Sequence, residues 1–249
     1  MNTVNRGHLL FCSILILIFT FSVCADTPDQ NITMYQASSY DMVESGNYYE
    51  VFTVDDMQRL GDFGLGGYED LDGELTQIDG NIYQIRSDGT VSEPPGDTGI
   101  CFANTVLFRP EYSLQFNNTL DKEALFSEIN KSFSNHDAIY AYRIDGTYSN
   151  ISVRSVPPQE EPYPSLAEVV GEQSIFNLEN VSGTVSGFWF PEWMQGVNYA
   201  GFHTHFITDS RDAGGHVLDV TSENVTVSVQ PIHRFTMIFA EDNKENRET

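Results

Sequence analysis

The sequence predicts a mixed α/β (α+β) chain of short strands and short helices divided into two parts. Three observations carry this: a hairpin signal in the first half, short helices marked by capping residues, and a proline-rich break followed by strand-like segments rich in Gly, Val and aromatics.

The first 25 residues read as an export signal, because Arg6 precedes the apolar run Leu9 to Val23 and small residues close it at Val23-Cys24-Ala25. The mature chain is expected to begin at Asp26 and to be secreted or otherwise exported across the membrane, with no membrane attachment after cleavage. Two alternatives stand beside this reading. A membrane anchor would need ~20 apolar residues, and this run has about 15. A lipid on Cys24 would want Gly or Ala where Val23 stands.

Residues 26–160 are read as an N-terminal mixed-sheet domain. Thr53 with Asp56 caps a short helix ending at Gly61. Gly73 to Gln77 and Asn81 to Arg86 read as paired strands, because Asp79-Gly80 between them is a hairpin turn. Leu125, Ile129 and Phe133 recur at helical spacing after Asp121. The stretch Val156 to Pro164 holds four prolines, which remove backbone donors and fix φ, so it marks a boundary. Residues 161–240 form the expected C-terminal, metal-binding, β-rich domain. Ser165 with Glu168 makes a capping box for a helix running towards Phe176. Strand-like segments follow at Val181 to Phe190, Tyr199 to Thr208, His216 to Val220 and Val225 to Val229, and residues 241–249 are a polar tail.

The formal charge of −24 becomes −25 once Arg6 is removed, since residues 1–25 hold no Asp or Glu. That balance excludes nucleic acid as a partner, because phosphates are neutralised by clustered Lys and Arg. Cys101 is the one cysteine outside the signal, so no internal disulfide can form; between Ile100 and Phe102 it reads as a small buried residue. Six glycosylation triplets begin at Asn31, Asn117, Asn130, Asn150, Asn180 and Asn224.

Chemistry concentrates in one place. Three of the five mature histidines fall within fourteen residues, His203, His205 and His216. On a strand, residues i and i+2 share a face, so His203 and His205 present their imidazoles side by side while Phe202, Thr204 and Phe206 face the other way. Asp209 to Gly215 has turn composition and can return His216 to the first two. Three neutral nitrogen ligands with an open fourth position make the arrangement of a catalytic zinc site, whereas structural sites usually close with four Cys or His. A cupin-like metalloenzyme also uses His-x-His and a later His, but expects a Glu shortly after the pair, where this chain has Asp209. Unrelated histidines are the remaining alternative.

Three separated blocks then carry a resemblance: Leu71 to Leu75 with Ile78 to Gly80, Arg154 to Pro157 with Pro162 to Pro164, and Gly201 to His205 with Gly214 to Asp219. In these the chain resembles the acetolactate decarboxylase family from about Met34 to Phe239. The resemblance implies two α/β domains on mixed β-sheets, a homodimer, Zn2+ at His203, His205 and His216, and conversion of 2-acetolactate to acetoin and carbon dioxide through a zinc-stabilised enediolate. It places the family's active-site glutamate on Glu74 and its arginine on Arg154. Without it, Glu74 reads as a solvated strand end and Arg154 as a surface charge. The family also brings a second glutamate from the C-terminus; Glu241, Glu245 and Glu248 all stand after Phe239, and Glu245 is taken because it has enough chain to turn inward. A secreted, non-catalytic metal-binding module of the same fold is the alternative of a different class.

Overall fold

The computed structural model describes residues 32–240. The export signal, the expected start at Asp26 and the tail with Glu245 lie outside them.

The chain opens with β1 (Thr33–Ala37), α1 (Tyr40–Glu44), β2 (Phe52–Thr53), α2 (Val54–Leu60) and β3 (Phe63–Tyr68). Thr53 and Asp56 cap α2 reciprocally, as the sequence predicts. The predicted hairpin is β4 (Glu74–Ile78) and β5 (Asn81–Ile85). Asp79 and Gly80 take φ of 53° and 83°, the pair of positive values that a turn matching strand twist requires. Then come β6 (Val91–Ser92), β7 (Gly99–Val106), β8 (Tyr112–Phe116), β9 (Leu120–Asp121) and α3 (Lys122–Ser132), which Asp121 caps at the backbone N–H of Ala124. Strand β10 (Ile139–Ser155), α4 (Leu166–Val170), β11 (Ser174–Phe190), β12 (Gly201–Thr208), β13 (Gly214–Ile232) and β14 (Arg234–Ile238) complete the order.

Two sheets result. The first has eight strands in the order β14-β1-β7-β3-β4-β5-β6, with β2 alongside β7; the second has six and contains β8 to β13. The mixed class is as the sequence predicts, since β1 runs parallel to β14 and antiparallel to β7. The sheets divide the chain differently from the expected 26–160 and 161–240 segments. Strands β8 to β10 precede the proline stretch yet pair with β11 and β13, and β14 crosses back to the first sheet. Polar residues in the long strands hid this continuity. The helix expected to run towards Phe176 stops at Val170, and Ser174 to Phe176 join β11 against Val153 to Ser155.

The second sheet closes on itself. Strand β10 pairs with β11 on one side and β13 on the other, β11 pairs with β12, and β12 meets β13 over His205 to Ile207. Helix α3 covers this sheet with buried Leu125 and Ile129, joined by Phe133 at its C-cap, each of which contributes roughly 1.5–3 kcal/mol by leaving water. A second cluster joins the sheets, with Met34, Leu65 and Ile78 of the first against Ala141, Phe188 and Ile207 of the second.

A candidate metal and active site

The site forms where the closed sheet meets the first sheet. Residues alternate along β12, so Phe206 enters the core against Tyr148 and Thr204 hydrogen-bonds Tyr142 at 2.7 Å, while His203 and His205 face away from that core. The turn after Thr208 returns the chain so that His216 lies directly opposite His205. The ring centroids of the three imidazoles are 5.2–5.3 Å apart, and a nitrogen from each lies within 4.8 Å of the others. Asp209, the acid following the His-x-His pair, is exposed at the turn and outside the site.

Glu74 arrives from the first sheet. The turn before it is held in positive φ at Asp70, Leu71 and Gly73, and a Cβ on Gly73 would sit 2.3 Å from the carbonyl oxygen of Ile85. Only glycine lets β4 start that close to β5. The proline stretch braces the same turn: the Gln159 N–H donates to the Asp70 carbonyl at 2.7 Å, and the Tyr163 hydroxyl donates to the Asp70 carboxylate. Arg154 sits on β10 directly across from His216. Its Nη1 donates to Glu74 Oε1 at 3.1 Å, joining residues 80 apart in sequence. Glu74 is 7% exposed, so the solvated strand end that its local sequence suggests is corrected here by tertiary packing.

His205 is 1% exposed and its Nδ1 lies 2.7 Å from the Leu75 carbonyl, an acceptor only, so Nδ1 carries the proton and Nε2 a lone pair. That Nε2 stands 3.3 Å from Glu74 Oε2 and 3.4 Å from His216 Nδ1. Burial, with Arg154 adding, holds the His203 imidazole down to about 3; its buried Nδ1 has no hydrogen-bond partner among the described residues. Burial, then His203, keeps His205 well below the usual range, and burial, then Arg154, does so for His216. Burial also raises the Glu74 carboxyl, outweighing the opposing charge of Arg154. Neutral imidazoles converging beside a carboxylate are mutually repulsive lone pairs unless a cation joins them, and a backbone carbonyl fixing the outer nitrogen is the usual support for a metal ligand. The residues therefore fit a divalent ion.

These groups line a cavity of ≈ 450 Å³, walled by Tyr40, Val43 and Glu44 of α1 and by Leu166, Ala167 and Val170 of α4. A model of the alpha-acetolactate decarboxylase family matches residues 34–249. The chain belongs to the alpha-acetolactate decarboxylase family. It is 40% identical to the alpha-acetolactate decarboxylase of Methanosarcina mazei over 190 residues, 76% of this chain and 66% of that one. To the Brevibacillus brevis protein of that name it is 37% identical over 214 residues, 86% of this chain and 75% of the relative. The crystal structure of alpha-acetolactate decarboxylase from Bacillus subtilis strain 168 matches with a TM-score of 0.83 at 34% identity, covering 85% of this chain and 90% of that one.

Within this family member, the structure brings together His203, His205, His216, Glu74 and Arg154. Glu245 lies outside the described residues. Sequence reasoning missed Lys122, Tyr40, Tyr199 and Phe202 on the cavity wall. Cys101 also lines it, but its Sγ donates to the Tyr68 carbonyl at 2.9 Å and burial pushes the thiol up to about 12, which suits a packing residue and not a nucleophile.

Proposed function

We propose that this chain decarboxylates 2-acetolactate to acetoin and carbon dioxide, with a divalent metal, zinc, held by His203, His205 and His216. The observation that carries the reading is the convergence of three neutral imidazoles with the buried Glu74–Arg154 pair in one cavity of a chain from this family. Neutral nitrogens with room beside them suit zinc in a catalytic role. The ion would supply Lewis-acid stabilisation of the negative charge developing on the substrate's oxygens.

The chain's own groups do the rest. Loss of carbon dioxide leaves an enediolate whose carbon must gain one proton to become acetoin. Glu74, held between Arg154 and the imidazoles, is the group placed to pass a proton from water to that carbon. Arg154 orients Glu74 through Nη1 and has further N–H groups for a substrate oxygen, at the spot where charge accumulates. Helices α1 and α4 wall the cavity beside that spot.

Glu245 belongs to the same proposal. The Ser38 N–H donates to the Ile238 carbonyl at 2.9 Å, so β14 ends beside the residues leading into Tyr40 on the cavity wall. Seven residues from Ile238 reach at most about 25 Å, which is the span within which the metal must lie for Glu245 to join it.

The test is to load purified mature protein with zinc, add racemic acetolactate and follow acetoin, beside a chain ending at Ala240. Acetoin should form, stop with a chelator and resume with zinc, and the shortened chain should keep its zinc and turn over at least tenfold more slowly. No acetoin from fully loaded protein sinks the function; full speed in the shortened chain removes the tail glutamate.

A further inference from the structure

An anionic substrate approaches a chain of net charge −24 against a repulsive field, so the site needs a local attraction. Nine Lys and Arg fall among the described residues, and six pair with carboxylates. Lys122 is not one of the six. Its Nζ donates to the Leu218 carbonyl at 2.7 Å, two residues past His216, which leaves ammonium N–H groups uncommitted. Its acidic neighbours are partly engaged elsewhere, Asp121 by the Ala124 N–H and Asp219 by the Val220 N–H.

Lys122 occupies a particular place. It lines the cavity holding the three imidazoles and also an open outer groove bounded by Phe126, His136 and Trp189 and by the carboxylates of Asp121, Glu123 and Asp219, among which it is the one ammonium; only Phe202 shares both walls with it. The residue is exposed and is the first of α3, where a cation opposes the positive end of the helix dipole. Local helix energetics thus disfavour lysine here, and the cavity supplies a reason for it.

Resting on the decarboxylase reading above, we propose that Lys122 is the residue that captures the substrate's carboxylate at the neck between groove and cavity. Chemistry assigns it to capture and not to the bond-breaking step. A cation clamped on the carboxylate at the reacting position would stabilise the ground state that must lose carbon dioxide, which slows the reaction. A solvated ammonium at the neck selects and steers the anion, then leaves the carboxylate free beyond it.

The experiment uses zinc-loaded full-length protein and Lys122→Met, which keeps the aliphatic stem, with Lys122→Arg as the charge-preserving variant. Binding of the unreactive carboxylate 2,3-dihydroxy-2-methylbutanoate is measured by calorimetry, alongside inhibition by uncharged acetoin and the kinetics of acetolactate. Lys122→Met should weaken the carboxylate and raise KM by about tenfold or more, with kcat and acetoin inhibition unchanged, and kcat/KM should rise more steeply with added salt than in native protein, because only repulsion is left to screen. Lys122→Arg should restore most of the loss. Native protein that binds the carboxylate no better than Lys122→Met overturns the capture role alone. Native protein that neither binds it nor forms acetoin overturns the underlying function as well.

Discussion

Arg154 has a demanding position: its guanidinium faces the Glu74 carboxylate at 3.1 Å and helps keep His203 and His216 unprotonated. A lysine there would keep the charge but not the planar fork. Arg154→Lys should lower kcat roughly 10- to 100-fold, since a hydrogen bond to a charged group is worth about 1.5–3 kcal/mol, while zinc content by elemental analysis stays native. Unchanged kcat would take Arg154 out of the reaction. The imidazole cluster was legible because its histidines obey a two-residue period followed by a turn. Glu74 and Arg154 were not legible from their own neighbourhoods, because what makes each functional lies 80 residues away. Only the resemblance pointed to them. Lys122 left one weak trace, a cation at a helix start.

Among elements, the hairpin β4–β5, the capped α2 and the apolar stripe of α3 were readable because their signals are local. The long strands were not. His216 to Val220 and Val225 to Val229 read as separate segments but are one strand, whose pairing with β10 shifts register between Thr147 and Asn150 and again after Ser152. Such irregularities break the alternation that a sequence displays. The start of β13 shows what the closed sheet demands. Gly215 has φ 139°, and a Cβ there would lie 2.4 Å from the Arg154 carbonyl oxygen. Gly215→Ala must therefore push apart the strands that carry Arg154 and His216, at a cost of about 1–3 kcal/mol. The expected result is a lower melting temperature with zinc affinity reduced at least tenfold, read by competition with a chromogenic chelator. Native affinity in that variant would show that the ligand does not depend on this close approach.

For the whole molecule, three buried neutral imidazoles tie stability to pH. Each histidine is held below its ordinary value of about 6.5 in the fold, so as pH falls through that value the unfolded chain takes up protons first and stability is lost. Glu74, raised by burial, acts in the opposite sense, but it is one group against three. Metal-free protein should therefore lose melting temperature between pH 7 and 5 relative to a His203→Ala, His205→Ala, His216→Ala variant, measured by calorimetry in both. A gap between the two that stays constant would contradict the burial argument. At this scale the sequence revealed the mixed class but not the sheet membership, because pairings such as β1 with β14 join residues about 200 apart that no local pattern records. That last pairing also sets an order on biogenesis. Emerging from its N-terminus, the polypeptide presents β1 about 200 residues before β14, the neighbour on its outer flank. The first sheet stays open along that flank until β14 has emerged from the ribosome. A protein wired in this way cannot complete the outer edge of its first sheet from its N-terminal half alone, so that edge is closed late.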